Sequence, residues 1–175
     1  MRGAQGTTIG GMILSHDISK RHSAATALKE TETRYQSVIN TLSEGIVLQT
    51  ADGSIQACNT AAEAILGLTA DQMMGRTSID PRWRAIHEDG SPFPGETHPA
   101  MVTLQTGRPL TNIIMGVHKP DGTLAWISVN SRPMLRPDET LSDAVVATFV
   151  DITERKRLED DLRANEAQLR LITDN

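Results

Sequence analysis

The chain has 175 residues, of which 38% are apolar, 22% charged and 3% aromatic, and its formal net charge at pH 7 is -5. This size allows one ordinary domain with flanking segments, while the acidic balance argues against binding to nucleic acid. No apolar run approaches the roughly 20 residues of a membrane span, no signal peptide begins the chain, and the single cysteine, Cys58, fits a reducing, cytoplasmic location.

An internal similarity links the two ends of the chain. Asp17-Ile18-Ser19 and Asp151-Ile152-Thr153 each follow a short apolar run and precede an amphipathic stretch. Each copy predicts a strand, the Asp-Ile pair and then a helix. Residues 1–18 are therefore predicted to be the remnant of a preceding, similar domain. Its last strand, over Ile9–Leu14, is predicted to be disordered or paired with a neighbouring edge.

Two stretches, residues 19–41 and 152–175, carry the alternating four- and three-residue spacing of a coiled-coil seam. The seam positions are Ala24, Leu28, Thr31, Tyr35 and Val38 in the first stretch, continued by Leu42 directly after it, and Leu158, Leu162, Asn165, Leu169 and Ile172 in the second. This spacing predicts a homodimer through the flanking helices, with Leu28, Tyr35, Leu158, Leu162 and Leu169 at its interface. The alternative is an amphipathic helix packed on its own domain.

The region between these helices, residues 42–151, alternates strands with short helices. Strands are predicted over 45–50 and 54–58, joined by an Asp52-Gly53 turn. Asn59 is predicted to cap a helix over 60–66, followed by short helical segments over 69–74 and 82–87 and a helix over 98–106. Three further strands are predicted over 109–119, 123–135 and 142–150, with a loop over 136–141 between the last two.

Within this order of elements lies a series of short motifs: Gly45-Ile46-Val47, Asp52-Gly53, Asn59-Thr60-Ala61-Ala62, Leu66-Gly67, Gly75-Arg76, Asp121-Gly122-Thr123-Leu124-Ala125-Trp126 and Asp151-Ile152-Thr153-Glu154-Arg155. Their order from Thr41 to Asp151 resembles the PAS family. The resemblance implies an α+β fold, with a five-stranded antiparallel sheet, short helices on one face and amphipathic helices at both ends. It also implies a sensory module of a bacterial signalling protein such as a sensor histidine kinase or diguanylate cyclase.

Two functions are consistent with this resemblance. In the first, a small molecule or partner shifts the sheet, and a junction formed by Asp151, Ile152, Thr153 and Arg155 relays the signal through the last helix to a downstream output domain. In the second, the domain binds no ligand and only dimerises and relays signals within a tandem array. The sequence shows no catalytic constellation, so the segment itself is predicted to be non-catalytic.

Strand alternation places the apolar residues of the last strands on common faces, where they could line a ligand pocket or fill the core. The predicted pocket residues are Met73, Trp83, Ile86, Met101, Leu104, Ile113, Met115, Val117, Ile127, Val129 and Asn130. Asn112, Asn130 and Arg132 have the opposite strand parity, so a solvent-facing position is the alternative for these three.

The ligand itself stays unidentified. Cys58 ends a strand, whereas the light-sensing PAS subclass carries its cysteine in a helix whose counterpart here, residues 75–80, has none. This excludes flavin photochemistry but not non-covalent flavin. His98 precedes Pro99 in a poorly oriented first helical turn, which argues against axial ligation of haem. His87, His98 and His118 form no zinc-like cluster, and each is predicted to be exposed or hydrogen-bonded, with no metal bound.

Overall fold

A computed structural model describes residues 10–134 and 144–173, with side chains described over 24–134 and 144–169. The chain divides into two units, residues 1–41 and 42–175. Ile9, the predicted loop over 136–141 and the side chain of Ile172 lie outside the described parts.

The first unit is described as a single long helix, α1 (Gly10–Thr41). The predicted strand before Asp17 is therefore wrong over residues 10–14, which are helical. A lone strand leaves its backbone N–H and C=O groups unpaired, whereas a helix pairs them within the segment itself. The origin of residues 1–18 in a preceding domain stays a prediction.

The second unit is built on an antiparallel sheet. Its strands are β1 (Gly45–Thr50), β2 (Ile55–Cys58), β3 (Arg84–Ile86), β4 (Leu110–His118), β5 (Leu124–Met134) and β6 (Ala144–Asp151). They are ordered β2-β1-β6-β5-β4-β3. The last strand thus lies in the middle of the sheet, between β1 and β5. The predicted α+β class with an antiparallel sheet is confirmed, with six strands rather than five.

The additional strand is β3, where the sequence predicted a turn of helix over 82–87. Arg84, Ala85 and Ile86 pair with His118, Val117 and Gly116 of β4. The edge of β4 that faces away from β5 carries backbone N–H and C=O groups. A strand pairs with these groups, whereas a single helical turn would leave them unpaired. Side chains alternate as in a strand, with Arg84 exposed and Ala85 buried.

Short helices cover one face of this sheet. They are α2 (Thr60–Leu66), α3 (Ala70–Met73) and α4 (Pro99–Thr106), with a 3-10 turn at Gly95–Thr97 before α4. The predicted helix over 98–106 is confirmed, with Pro99 in its first turn and Gly107 ending it. The outgoing helix, α5 (Thr153–Thr173), begins two residues after β6.

Asn59 joins α2 to the first strand. Its Oδ1 accepts the backbone N–H of Ala62, which confirms the predicted cap, and also that of Ile46. Its Nδ2 donates to the backbone carbonyl of Glu44. Asn59 is 1% exposed, so one buried amide fixes both the start of the helix and the start of β1.

The inner face of the sheet forms most of the apolar core. Along β5 and β6 every second residue is buried: Ala125, Ile127, Val129 and Ser131, then Val145, Ala147 and Phe149. Helix α4 packs against this face, where the hydroxyls of Thr103 and Ser131 lie 2.7 Å apart. The Ser131 hydroxyl also donates to the carbonyl of Pro99. These buried polar contacts fix the position of α4 over the central strands.

Candidate functional site: a core pocket and the junction to the last helix

A pocket of about 100 Å³ lies between the inner face of the sheet and the elements that cover it. We call it the core pocket. Its lining is predominantly apolar and comes from all six strands, from α2 and α4, and from the segments that precede β3 and α4. The lining residues are Val47, Gln49, Ile55, Leu66, Ser78, Trp83, Ala85, His98, Pro99, Ala100, Met115, Val117, Ile127, Val129, Ala147 and Phe149.

Three side chains give the core pocket a polar side. Gln49 projects inward from β1 and is 4% exposed. Its Nε2 donates to the Oγ of Ser78 at 3.2 Å, while its Oε1 has no hydrogen-bond partner in the described part of the chain. Sequence analysis missed Gln49 and Ser78. The one available signal was a long polar residue at an inward position of an otherwise apolar strand.

The third polar side chain, His98, is buried and bonded to the chain that precedes it. Its Nε2 lies 3.1 Å from the carbonyl oxygen of Phe93, and its ring meets that of Phe93 edge to face. Burial lowers the pKa of His98, although the Phe93 carbonyl and Glu96 oppose that effect. The histidine is therefore neutral at pH 7, with Nε2–H donating. The prediction of a hydrogen-bonded histidine is confirmed for His98.

Five of the eleven predicted pocket residues line the core pocket: Trp83, Met115, Val117, Ile127 and Val129. Three others contribute to packing instead. Met73 is wholly buried and Ile113 packs against the main core. Leu104 packs with Ala100, Val145 and Ala147 beneath α4. Strand parity identified the correct face, but it could not tell which side chains fill the space and which border it.

The remaining three predicted pocket residues lie elsewhere. Met101 lies under the β1–β2 turn, where a Cβ on Gly53 would be 2.8 Å from its sulfur. Ile86 borders a separate groove at the β3 edge. Asn130 accepts the backbone N–H of Asn112 at 2.9 Å, on the side of the sheet away from the pocket. Asn112 has a positive φ of 56° within a bulge of β4, so Asn130 stabilises a strained bulge.

The junction between β6 and α5 is bonded to β5 at Trp126. The backbone N–H of Trp126 donates to Oγ1 of Thr153 at 2.9 Å, and its carbonyl accepts the N–H of Ile152 at 2.8 Å. The carboxylate of Asp151 accepts the N–H of Thr153 at the start of α5. Asp151 thereby satisfies one of the free N–H groups at the start of α5. Of the four predicted junction residues, Arg155 lies apart and pairs along the helix with Glu159.

Lys156 makes the second attachment of α5, which sequence analysis missed. Its Nζ forms an ion pair with Glu88, in the loop of residues 87–98 between β3 and α4. It also lies 5.6 Å from the centre of the Trp126 ring. The Lys156 side chain is 15% exposed and that of Glu88 is 52% exposed, so the ion pair is sheltered only on the lysine side.

The loop that carries Glu88 leads back to the core pocket. His87 stacks on the ring of Phe93, with ring centres 3.9 Å apart, and Phe93 contacts His98 in the pocket wall. A continuous set of contacts therefore runs from the pocket through this loop to the first turn of α5.

The predicted seam residues whose side chains are described are exposed in the single chain. Leu28 and Tyr35 of α1 are 70% and 66% exposed, and Leu158, Leu162 and Leu169 of α5 are between 61% and 64% exposed. Such exposure is unusual for large apolar side chains along one stripe of a helix.

Within residues 10–134 and 144–173, no helix is long and apolar enough to cross a membrane. The same residues contain no group of three or more potential metal-binding side chains.

Comparison with known proteins identifies the fold. The family model described as the PAS fold matches residues 33–152, more than half of the chain. No curated protein matches the chain.

Three solved structures illustrate the similarity. The PAS domain of an HTR-like protein from Haloarcula marismortui has 20% identity and a TM-score of 0.56, covering 75% of this chain and 99% of that one. A PAS domain from Colwellia psychrerythraea has 16% identity and a TM-score of 0.54, covering 71% and 98%. A sensory box histidine kinase/response regulator structure from Burkholderia thailandensis has 18% identity and a TM-score of 0.53, covering 78% and 98%. The chain belongs to the PAS family.

Proposed function

We propose that this PAS domain is a cytoplasmic sensory input module. A small molecule in the core pocket would change the position of α5, and α5 would pass that change to a downstream output domain of the histidine kinase or diguanylate cyclase type. The observation that carries the proposal is that the first turn of α5 is bonded to two elements bordering the pocket. These are β5, through Trp126 and Thr153, and the loop of residues 87–98, through Glu88 and Lys156.

The attachment to β5 gives a direct route from pocket to helix. Trp126 lies next to Ile127, and Ile127 lines the pocket on the opposite face of the same strand. A molecule that displaces Ile127 and Val129 moves the backbone whose N–H is held by Thr153. A ligand can shift the equilibrium only by binding the two arrangements of β5 and α5 unequally. Rearrangement of the junction hydrogen bonds is the physical event we expect.

Output would pass through a dimer. Leu158, Leu162 and Leu169 of α5 follow a seam spacing and are exposed in the single chain, so a second copy of the helix would bury them. A change in the angle or rotation of α5 at Thr153 would alter how the two helices pack. The altered packing of the helices would in turn change the position of a downstream domain attached to them.

A ligand-free relay is the second candidate. The pocket is small, and three side chains predicted to line it, Met73, Ile113 and Leu104, fill the core instead. In this case the domain would align the flanking helices without sensing a molecule, and its core would respond only to neighbouring domains.

Native mass spectrometry of gently purified protein, combined with thermal-shift screening of a metabolite library, separates the two. Sensing predicts a bound species or a stabilising compound, and binding of that compound should change amide exchange in α5. The double variant Thr153→Val, Lys156→Met should keep the binding but lose the change in exchange. Binding with no response in α5 of the unaltered protein would contradict sensing through the junction. The absence of both a bound species and a stabilising compound would favour the relay.

A further inference from the structure

The amide of Gln49 is half satisfied in the wall of the core pocket. Ser78 bonds one end at 3.2 Å, and the other end has no partner in the described part of the chain. Exchanging the amide oxygen and nitrogen leaves the same result, because the serine hydroxyl can donate or accept. One end of the buried amide is therefore left without a partner in either orientation. A guest that bonds this end gains affinity, because a buried polar group without a partner is costly.

The pocket wall carries no charge to balance a charged guest. None of its lining residues is Asp, Glu, Lys or Arg. His98, the only lining side chain that titrates near neutral pH, is kept neutral by burial, and its Nε2 is already bonded to Phe93. A carboxylate or ammonium entering this space would lose its hydration without gaining an opposite charge. The wall therefore selects against ions.

The volume limits the size of the guest. The pocket measures about 100 Å³. For comparison, an engineered apolar cavity of about 150 Å³ in another protein binds benzene. A pocket of this volume holds a guest of about six heavy atoms or fewer. A flavin or haem is larger and does not fit without rearrangement of the core.

We propose that the core pocket takes a small neutral molecule with a compact apolar body and one amide or hydroxyl group, which bonds the free end of the Gln49 amide. This inference rests on the sensing form of the proposed function and specifies its ligand class. Ser78 orients the Gln49 amide, and the apolar walls of β4 and β5 hold the body of the guest.

Three probes of six heavy atoms each test the chemistry at constant shape. Isobutyramide carries an amide, 3-methyl-2-butanone replaces its NH₂ with a methyl group, and isobutyrate carries a charge. Their binding is measured by titration in ¹H–¹⁵N correlation spectra at pH 7.5. We expect the amide to bind about tenfold more tightly than the ketone, since it can donate to the free Oε1 of the glutamine, whereas the ketone has no donor. The carboxylate should bind most weakly.

Two variants locate the selectivity. Gln49→Met keeps the length of the side chain without its amide, and it should reduce the preference for amide over ketone to about twofold or less. Gln49→Leu provides a second apolar variant if the first folds poorly. Val117→Ala is the matched control, since Val117 lines the pocket from β4, separated from β1 by β6 and β5. This control should keep the amide preference.

Xenon tests whether the pocket accepts a guest at all, because it enters apolar cavities regardless of their polar groups. It therefore distinguishes a wrong ligand class from a pocket that binds no small molecule. If xenon binds in the pocket but the ketone or the carboxylate binds as tightly as the amide, the proposed ligand class is wrong and sensing of another guest stands. If neither xenon nor any probe binds, both this inference and the small-molecule form of the proposed function are wrong. An amide preference lost only with Gln49 supports the inference.

Discussion

The hydroxyl of Thr153 accepts the backbone N–H of Trp126 at 2.9 Å, so the first residue of the outgoing helix completes the hydrogen bonding of a central strand. The same hydroxyl donates to the carboxylate of Asp151. A single side chain thus connects the sheet, the junction and the helix.

Replacing this hydroxyl should loosen the junction. Thr153→Val keeps the shape of the side chain but removes both bonds, and we expect a loss of about 1–2 kcal/mol in the free energy of unfolding. Hydrogen exchange should show faster exchange at the Trp126 amide and in the first turn of α5. Thr153→Ser retains the hydroxyl and should keep most of the protection. Unchanged exchange at Trp126 in the valine variant would show that this bond does not form in solution.

Asn59 should be among the most sensitive polar positions in the domain. Asn59→Ala removes the acceptor of the Ala62 and Ile46 amides and the donor to Glu44. We expect a loss of about 2–4 kcal/mol, measured by urea unfolding. Gln105→Ala, at an exposed position of α4, should change stability by less than about 0.5 kcal/mol. Similar values for the two variants would contradict the role of Asn59.

Stability should fall as the pH drops through the histidine range. Burial lowers the pKa of His98 from its ordinary value of 6.5, so the folded state favours the neutral ring more than the unfolded state does. The stabilisation is present above about pH 6.5 and is lost as the pH falls from there toward the lower folded pKa. Urea unfolding from pH 7.5 to 5 measures this slope.

Two variants assign the slope to His98. His98→Gln should flatten the dependence on pH, whereas Gln105→Ala, which removes no titratable group, should leave it unchanged. Glu96 and His87 are the charged and titratable groups that influence His98, so the slope should also respond to salt. Equal slopes in the unaltered protein and the His98 variant would contradict this assignment.

Self-association should depend on the exposed leucines of α5. Leu162→Asp with Leu169→Asp places two charges on the predicted seam, and we expect light scattering to report a monomer where the unaltered protein is a dimer. Ala167→Asp, exposed but off the seam, is the matched control and should leave the dimer intact. A dimer that survives the double change would require another interface.

The fold was predictable where local chemistry decides it. The Asn59 cap, the Asp52-Gly53 turn and the alternation of β5 and β6 all follow from neighbouring residues, and the structure has each of them. The sequence did not predict β3, because three residues are too few to show the alternation of apolar and polar side chains that is typical of a strand. Its conformation is decided by the free edge of β4, which is distant in sequence. The opposite error occurred in residues 10–14, where an apolar run was interpreted as a strand although the structure contains a helix.

The functional residues were harder to predict because they depend on contacts between distant segments. Lys156 and Glu88 are 68 positions apart, and Gln49 and Ser78 are 29 apart. Neither pair lies in a recognisable motif. The Asp-Ile-Thr motif identified the junction, but Lys156, at the end of the first turn of α5, supplies the second attachment.

The central position of β6 affects how the protein is made. On the ribosome, the β1–β2 hairpin and strands β3 to β5 emerge before β6. These two groups of strands cannot form one sheet until β6 pairs with β1 on one side and with β5 on the other. Until residue 151 has been synthesised, the nascent chain exposes two strand edges that invite association with other chains. The sheet therefore closes only as α5 begins to emerge, and a chain truncated before β6 should aggregate rather than fold.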